Sequence, residues 1–129
     1  MTERLELYKC KICGNLVQVI LNGIGELVCC GENMEKLIPN KEDNDELSEK
    51  HIPQIERNGE EVIIKLEHHP MVEEHFIQFI EVQDSENCVI HLKYLKPNEK
   101  AEFKIQNTAV NIDAIEYCNI HGLWRNKND

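Results

Sequence analysis

Over the second two-thirds of the chain, apolar positions come in short runs rich in β-branched residues: EVIIKLE, HFIQFIEV, NCVIHLKYL, AEFKIQ and VNIDAIEYC. Branching at Cβ suits such side chains to a pleated, half-buried surface, so each run reads as a strand. Gly59, the DSEN segment at 84–87 and the Pro97-Asn98 pair interrupt the runs at hairpin spacing. None of them keeps a helical period over the roughly ten residues that an amphipathic helix needs. A small all-β sandwich is expected over residues 45–129. The first 37 residues offer two briefer strand-like runs, LVQVIL and ELVC, with Asn22-Gly23 and Gly25 between them. PNKEDNDELSEK, which joins the two parts, is polar and acidic without apolar periodicity and reads as a linker. No internal repeat stands out.

A length of 129 residues fits one ordinary domain, or a very small one joined to a second. Fourteen basic residues against 24 acidic ones give a net charge of −10, which works against nucleic acid or an anionic membrane as a general partner. The start, MTERLELYKC, carries acids where a signal peptide would carry its apolar stretch, and no run approaches the roughly 20 residues that span a bilayer. A cytoplasmic location is expected. Six cysteines in such a setting point to metal rather than to disulfides. With aromatics at only 5% of residues, small cores stapled by metal are physically reasonable.

Cys10 and Cys13 form a C-x-x-C pair, and Cys29 with Cys30 completes a set of four. Four thiolates in two local clusters make a tetrahedral sulfur cage for zinc or a single iron, and spacing does not separate the two metals. Gly14 and Gly31, directly after each pair, permit the backbone angles that such knuckles require. The adjacent pair should strain the backbone, since neighbouring residues must direct both sulfurs to one ion. With no open position, this site is structural or passes electrons.

The other ligand-type residues gather in three places: Glu49-Lys50-His51, His69-Pro70-Met71 followed by His75, and Cys118 with His121 before Gly122 and Trp124. Pro70 works against a continuous strand from His69 to His75, so these two read as a loop that enters a strand. Imidazole and thiolate together suit iron, copper or zinc, and five ligands would leave one octahedral position free for chemistry. A thiolate opposite that position would push electron density through the metal. Lys50 places a positive charge where it can draw a small anion toward an otherwise acidic protein.

YKCKICG…LVCCGENM resembles desulforedoxin and the N-terminal domain of desulfoferrodoxin, while EKHIP, HPMVEEHFI and YCNIHGLW resemble the neelaredoxin-type domain of superoxide reductases. These motifs span nearly the whole chain, and their order makes it resemble a two-iron superoxide reductase of the desulfoferrodoxin type. The resemblance implies a mainly β protein: a desulforedoxin-like four-cysteine iron domain over 1–37, a linker over 38–48 and an immunoglobulin-like sandwich over 49–129. It implies a first iron on Cys10, Cys13, Cys29 and Cys30, and a catalytic iron on His51, His69, His75, His121 and an axial Cys118. Lys50 matches the family lysine that guides superoxide and helps protonate the peroxide. Glu49 matches the glutamate that closes the sixth position in the oxidised state. A homodimer and a rubredoxin-type electron donor are also implied. His68 stands beside His69 as a second candidate ligand, and the H-P-M pattern selects His69. Cys88 and His91 match no ligand and read as strand residues.

The implied reaction is reduction of superoxide to hydrogen peroxide with an outside electron donor and no release of oxygen, which separates a reductase from a dismutase. A blue-copper electron carrier built on Cys118 and His121 would want a methionine soon after that histidine, and the methionines are Met1, Met34 and Met71. A zinc-loaded binding module is a further alternative that metal analysis and a visible spectrum would separate. A nucleophilic Cys118 with His121 as base lacks an oxyanion-hole motif and leaves three histidines unused.

Overall fold

A computed structural model describes residues 1–40, 46–107 and 109–126. The chain forms two compact units, Met1–Ile38 and Pro39–Asp129.

The first unit is built from very short strands: β1 (Leu7–Lys9), β2 (Leu16–Gln18), β3 (Val28–Cys29), β4 (Glu32–Asn33) and β5 (Glu35–Leu37). β1 lies centrally between β2 and β5 in an antiparallel sheet, and β3 pairs with β4 in a second, two-stranded one. LVQVIL and ELVC supply β2 and β3, as expected. The LYK and EKL segments of β1 and β5 carry too few apolar positions to announce themselves. They are strands because Leu7 finds Gln18 on one side and Leu37 on the other. Leu7, Val19 and Cys10 are the buried apolar side chains here, far less than a free-standing core requires. Local electrostatics add some support. The Lys36 ammonium, the Glu3 amide and the Tyr8 hydroxyl all engage Glu6 and hold its carboxyl down to about 2.

The second unit is a β-sandwich. Its elements are α1 (Glu46–His51), β6 (Gln54–Asn58), β7 (Glu61–Lys65), β8 (Ile77–Asp84), β9 (Val89–Tyr94), β10 (Glu102–Gln106), β11 (Asp113–Cys118) and β12 (Gly122–Arg125). One antiparallel sheet has the order β10-β7-β6 and the other β12-β11-β8-β9. Val62 and Ile64 of β7, Ile80 and Val82 of β8, Ile105 of β10 and Ala114 of β11 meet between the sheets, joined by Leu66, Ile77, Leu95 and Ile112. All five β-branched runs form strands (β7 to β11), with Gly59 turning β6 into β7 at a φ of +66°.

Three features depart from the sequence expectations. Cys88 lies in the turn after β8 rather than in a strand. Its φ is +56° and its thiol donates to the Ser85 carbonyl, because the DSEN turn runs one residue further than its polar letters suggest. His91 is in β9, as expected. β6 and β12 are strands that no apolar run announces. QIERN has one apolar residue and pairs as an edge strand, where charge is tolerated, and GLWR is short and starts on a glycine. The acidic stretch read as a linker is ordered at both ends. Asn40 bridges Trp124, and Glu46–His51 is helical, too short a turn to show a period. Residues 41–45 in its middle lie outside the described residues.

Candidate metal centres

In the first unit, Cys10 and Cys13 occupy the turn between β1 and β2, and Cys29 and Cys30 the hairpin between β3 and β4. All four thiol sulfurs lie within 4.8 Å of one another, and all four cysteines are free thiols. The Cys13–Cys29 and Cys29–Cys30 sulfur separations of 3.5 and 4.0 Å bracket the ~3.8 Å edge of a tetrahedron with ~2.3 Å metal–sulfur bonds. Gly14 and Gly31 take φ of +84° and +78°, the left-handed region a Cβ disfavours. Cys30 itself is forced to +53°, which is where the expected strain of the adjacent pair resides. Backbone N–H groups, that of Cys13 first, lower the Cys10 thiol to about 7. Crowding by Cys13, Cys29 and Cys10 raises the Cys30 thiol to about 12. The Cys10 thiolate forms readily while those of Cys29 and Cys30 are opposed by their neighbours, a conflict that a divalent or trivalent cation resolves.

The second cluster sits at one end of the sandwich. His51 ends α1. His69 lies in the turn after β7, His75 in the approach to β8, Cys118 at the end of β11 and His121 in the turn to β12. Ligand atoms of His51, His69, His75 and Cys118 lie within 4.8 Å of one another. His121 stands beside this group and outside the mutual 4.8 Å set, with its Nδ1 3.2 Å from His51 Nε2 and its ring 5.1 Å from that of His75. His51, His69 and Cys118 are buried and His121 is exposed, so the cluster has a closed back and an open front. His68 is exposed and lines a cavity of about 570 Å³ together with Glu49, Ser48 and Ile52. Burial thus separates His69 from His68.

The donor set fits a metal. His69 Nδ1 donates to the Pro70 carbonyl at 2.5 Å, which fixes the tautomer and leaves the Nε2 lone pair free. That Nε2 and the Nε2 of His75 are buried with no hydrogen-bond partner, a costly arrangement for a fold unless a cation accepts both. Burial, then repulsion from the neighbouring imidazoles, lowers His51 to about 3, and burial likewise lowers His69 to about 4. Both are neutral at physiological pH, the form that ligates. Burial raises the Cys118 thiol, while the N–H groups of Ile120 and His121, each 3.4 Å from the sulfur, favour its thiolate. Such a cradle is made for a sulfur that becomes an anion on metal binding.

Two residues given no role from the sequence complete the surroundings. Glu116, two positions before Cys118 and so on the same face of β11, places Oε2 3.0 Å from His51 Nδ1. Burial raises its carboxyl well above the usual range, and with His51 lowered the contact is a neutral hydrogen bond rather than an ion pair unless a cation binds at Nε2. An acid at an inward strand position is the signal that marks it. Trp124 stacks on His51 with ring centroids 4.8 Å apart and 14° between planes, and donates Nε1–H to the His121 carbonyl. Glu49 and Lys50 are exposed in the last turn of α1. Lys50 repels protons from His51, His69 and His75 alike, so its field reaches the cluster.

The family model described as "Desulfoferrodoxin, N-terminal domain" matches residues 2–37, and the one described as "Desulfoferrodoxin" matches residues 43–127. The chain is 50% identical over 129 residues to the desulfoferrodoxin homolog of Archaeoglobus fulgidus, covering 97% of this chain and 98% of that protein. It is 43% identical over 130 residues to the desulfoferrodoxin of Desulfarculus baarsii, covering 99% and 100%. Among solved structures, the superoxide reductase from Treponema pallidum superposes with a TM-score of 0.71 at 27% identity, covering 98% of this chain and 100% of that one. With both halves matched in order and the two clusters formed in the corresponding halves, the chain belongs to the desulfoferrodoxin family.

Proposed function

We propose that the protein is a superoxide reductase, converting superoxide to hydrogen peroxide by addition of one electron and two protons, with electrons from an external donor of the rubredoxin type. The observation that carries this reading is the buried pair of unpartnered imidazole nitrogens, facing the buried Cys118 sulfur, in a cluster whose His121 side is open. We assign His51, His69, His75, His121 and Cys118 to the catalytic iron and Cys10, Cys13, Cys29 and Cys30 to the other. Ferrous iron held by the histidine-rich set would supply the electron to superoxide.

The chain's own residues do the rest. Neutral His51 and His69 offer lone pairs without a proton having to leave first. The amides of Ile120 and His121 would steady Cys118 as a thiolate once a cation offsets its burial, and Trp124 fixes both the His51 ring and the His121 backbone. Lys50 offsets the −10 charge locally, where a small anion must approach, and is read as the group that helps protonate the product. Glu49, adjacent to Lys50 and exposed in the same turn, is read as the carboxylate that would close the open side of the oxidised site.

Several finer readings have support of their own. Ile90, Leu92 and Tyr94 line one face of edge strand β9 with 38, 45 and 76% exposure, an apolar stripe consistent with a homodimer. Free cysteines fit a reducing compartment, the cytoplasm, and the acidic charge disfavours nucleic acid. No helix among the described residues is long and apolar enough to cross a membrane.

The test is to count iron per purified chain, then mix the reduced protein rapidly with superoxide while following peroxide and oxygen. A reductase gives a peroxide for every superoxide and no oxygen. Evolution of oxygen would make the protein a dismutase, and a colourless zinc protein would remove the activity altogether. Lys50→Ala should slow the reaction about tenfold at low ionic strength and flatten its dependence on salt. An unchanged rate and salt slope would remove the steering role.

A further inference from the structure

The sheet ladder breaks at the histidine-rich site. β11 and β8 pair regularly up to Tyr117 with Phe79, but the next pair is Cys118 with Ile77, which skips Gln78 in a bulge. The ladder alone therefore does not fix the segment before β8, which carries His75, against the end of β11, which carries Cys118. That segment is a tight turn in its own right. Val72 and His75 exchange backbone hydrogen bonds of 3.1 Å each, with Glu73 and Glu74 at the tip.

Asn119 bridges the gap. Its Oδ1 accepts the Phe76 N–H at 2.9 Å, its Nδ2 donates to the Glu74 carbonyl at 3.0 Å, and its own backbone N–H donates to the Phe76 carbonyl at 3.2 Å. The two side-chain bonds grip the residues immediately before and after His75. Asn119 itself immediately follows Cys118 and lies two residues before His121. One neutral amide thus ties three candidate ligands into a single rigid frame, although it is exposed and these bonds go to none of the three. The chemistry is specific to this side chain. Aspartate keeps the acceptor but loses the donor, alanine loses both, and glutamine is longer by a methylene.

We propose that Asn119 is a positioning residue for the histidine-rich metal site, holding His75 in register with Cys118 and His121 across the bulge. The proposal rests on reading those three residues as ligands of one metal. Its test uses the full chain loaded with ferrous iron and titrated with a ferrous chelator, with the four-cysteine site as an internal reference. Asn119→Ala should release the second iron at a chelator concentration about tenfold lower than the parent, in line with the usual effect of losing a ligand's supporting partner. Its thiolate-to-iron absorption should shift, while the first iron is retained unchanged. Asn119→Asp, which keeps one of the two bonds and is the readout if the alanine variant does not fold, should fall between. Parent-like iron retention and an unshifted absorption in either folded variant would overturn the proposal. A parent chain that binds only one iron would overturn the site reading beneath it, a result distinct from failure of the clamp.

Discussion

Cys118→Ser should leave a folded protein that keeps its N-terminal iron and has lost superoxide reduction. Cys118 is completely buried at the end of β11, and two backbone N–H groups converge on its sulfur. Burial opposes the thiolate in the protein alone, so the sulfur's charge is stabilised only when amides and a cation act together. A serine hydroxyl is close in size and still accepts the two N–H groups, which keeps the cost to folding small. It does not ionise at physiological pH and is a harder, poorer donor to iron than sulfur. Loss of a direct ligand should exceed the roughly 10–100-fold effect of losing a supporting residue. Iron analysis should fall from two per chain to one, and rapid mixing with superoxide should show no reaction above background. Reduction at the parent rate would mean that Cys118 is not a ligand of the catalytic iron.

Replacing Glu116 should have opposite effects on the fold and on the metal site. The carboxyl is fully buried, one oxygen meets His51 and the other, Oε1, has no partner. Burial favours the protonated carboxyl, which the unfolded chain carries ionised at neutral pH. Folding of metal-stripped protein bears the cost of that proton uptake, so Glu116→Gln should be at least as stable as the parent, with an unchanged or higher Tm. A cation on His51 Nε2 reverses the preference, because His51 must then donate Nδ1–H and a carboxylate is the stronger acceptor. Iron affinity should drop about tenfold in Glu116→Gln and further, toward roughly 100-fold, in Glu116→Ala, which leaves Nδ1 with no acceptor. Glu116→Ala should also cost about 1–3 kcal/mol of stability through the unsatisfied nitrogen. Chelator titration and thermal unfolding of stripped protein separate the two effects. If Glu116→Gln lowers Tm and leaves iron affinity untouched, Glu116 is a fold residue and no part of the metal site.

Legibility in the sequence follows the range of the interaction concerned. The five β-branched runs can be read because their signal is local, while β1, β5, β6 and β12 cannot, because pairing with a neighbour rather than composition makes them strands. Cys88 escapes a sequence reading for a related reason: a turn ends where its backbone angle turns, and letters do not record φ. The four-cysteine set is legible almost completely, since each pair is fixed by its own short turn and the glycines after it.

The histidine-rich site is legible only in its membership. Its residues lie up to 70 positions apart, as with His51 and His121, and residue type alone marks them as able to ligate. What the sequence determined by itself is therefore chemical: four thiols at knuckle spacing, five further candidate ligands at segment ends, one lysine beside them, and strands enough for a sandwich. The tertiary structure decided the rest: that His69 is buried and His68 is not, which ring nitrogen of His69 keeps its lone pair, that Glu116 and Trp124 brace His51, and that Asn119 spans the bulge. Burial, tautomer and hydrogen-bond partner are properties of what surrounds a residue, and these surroundings are assembled from distant segments only when the two sheets pack.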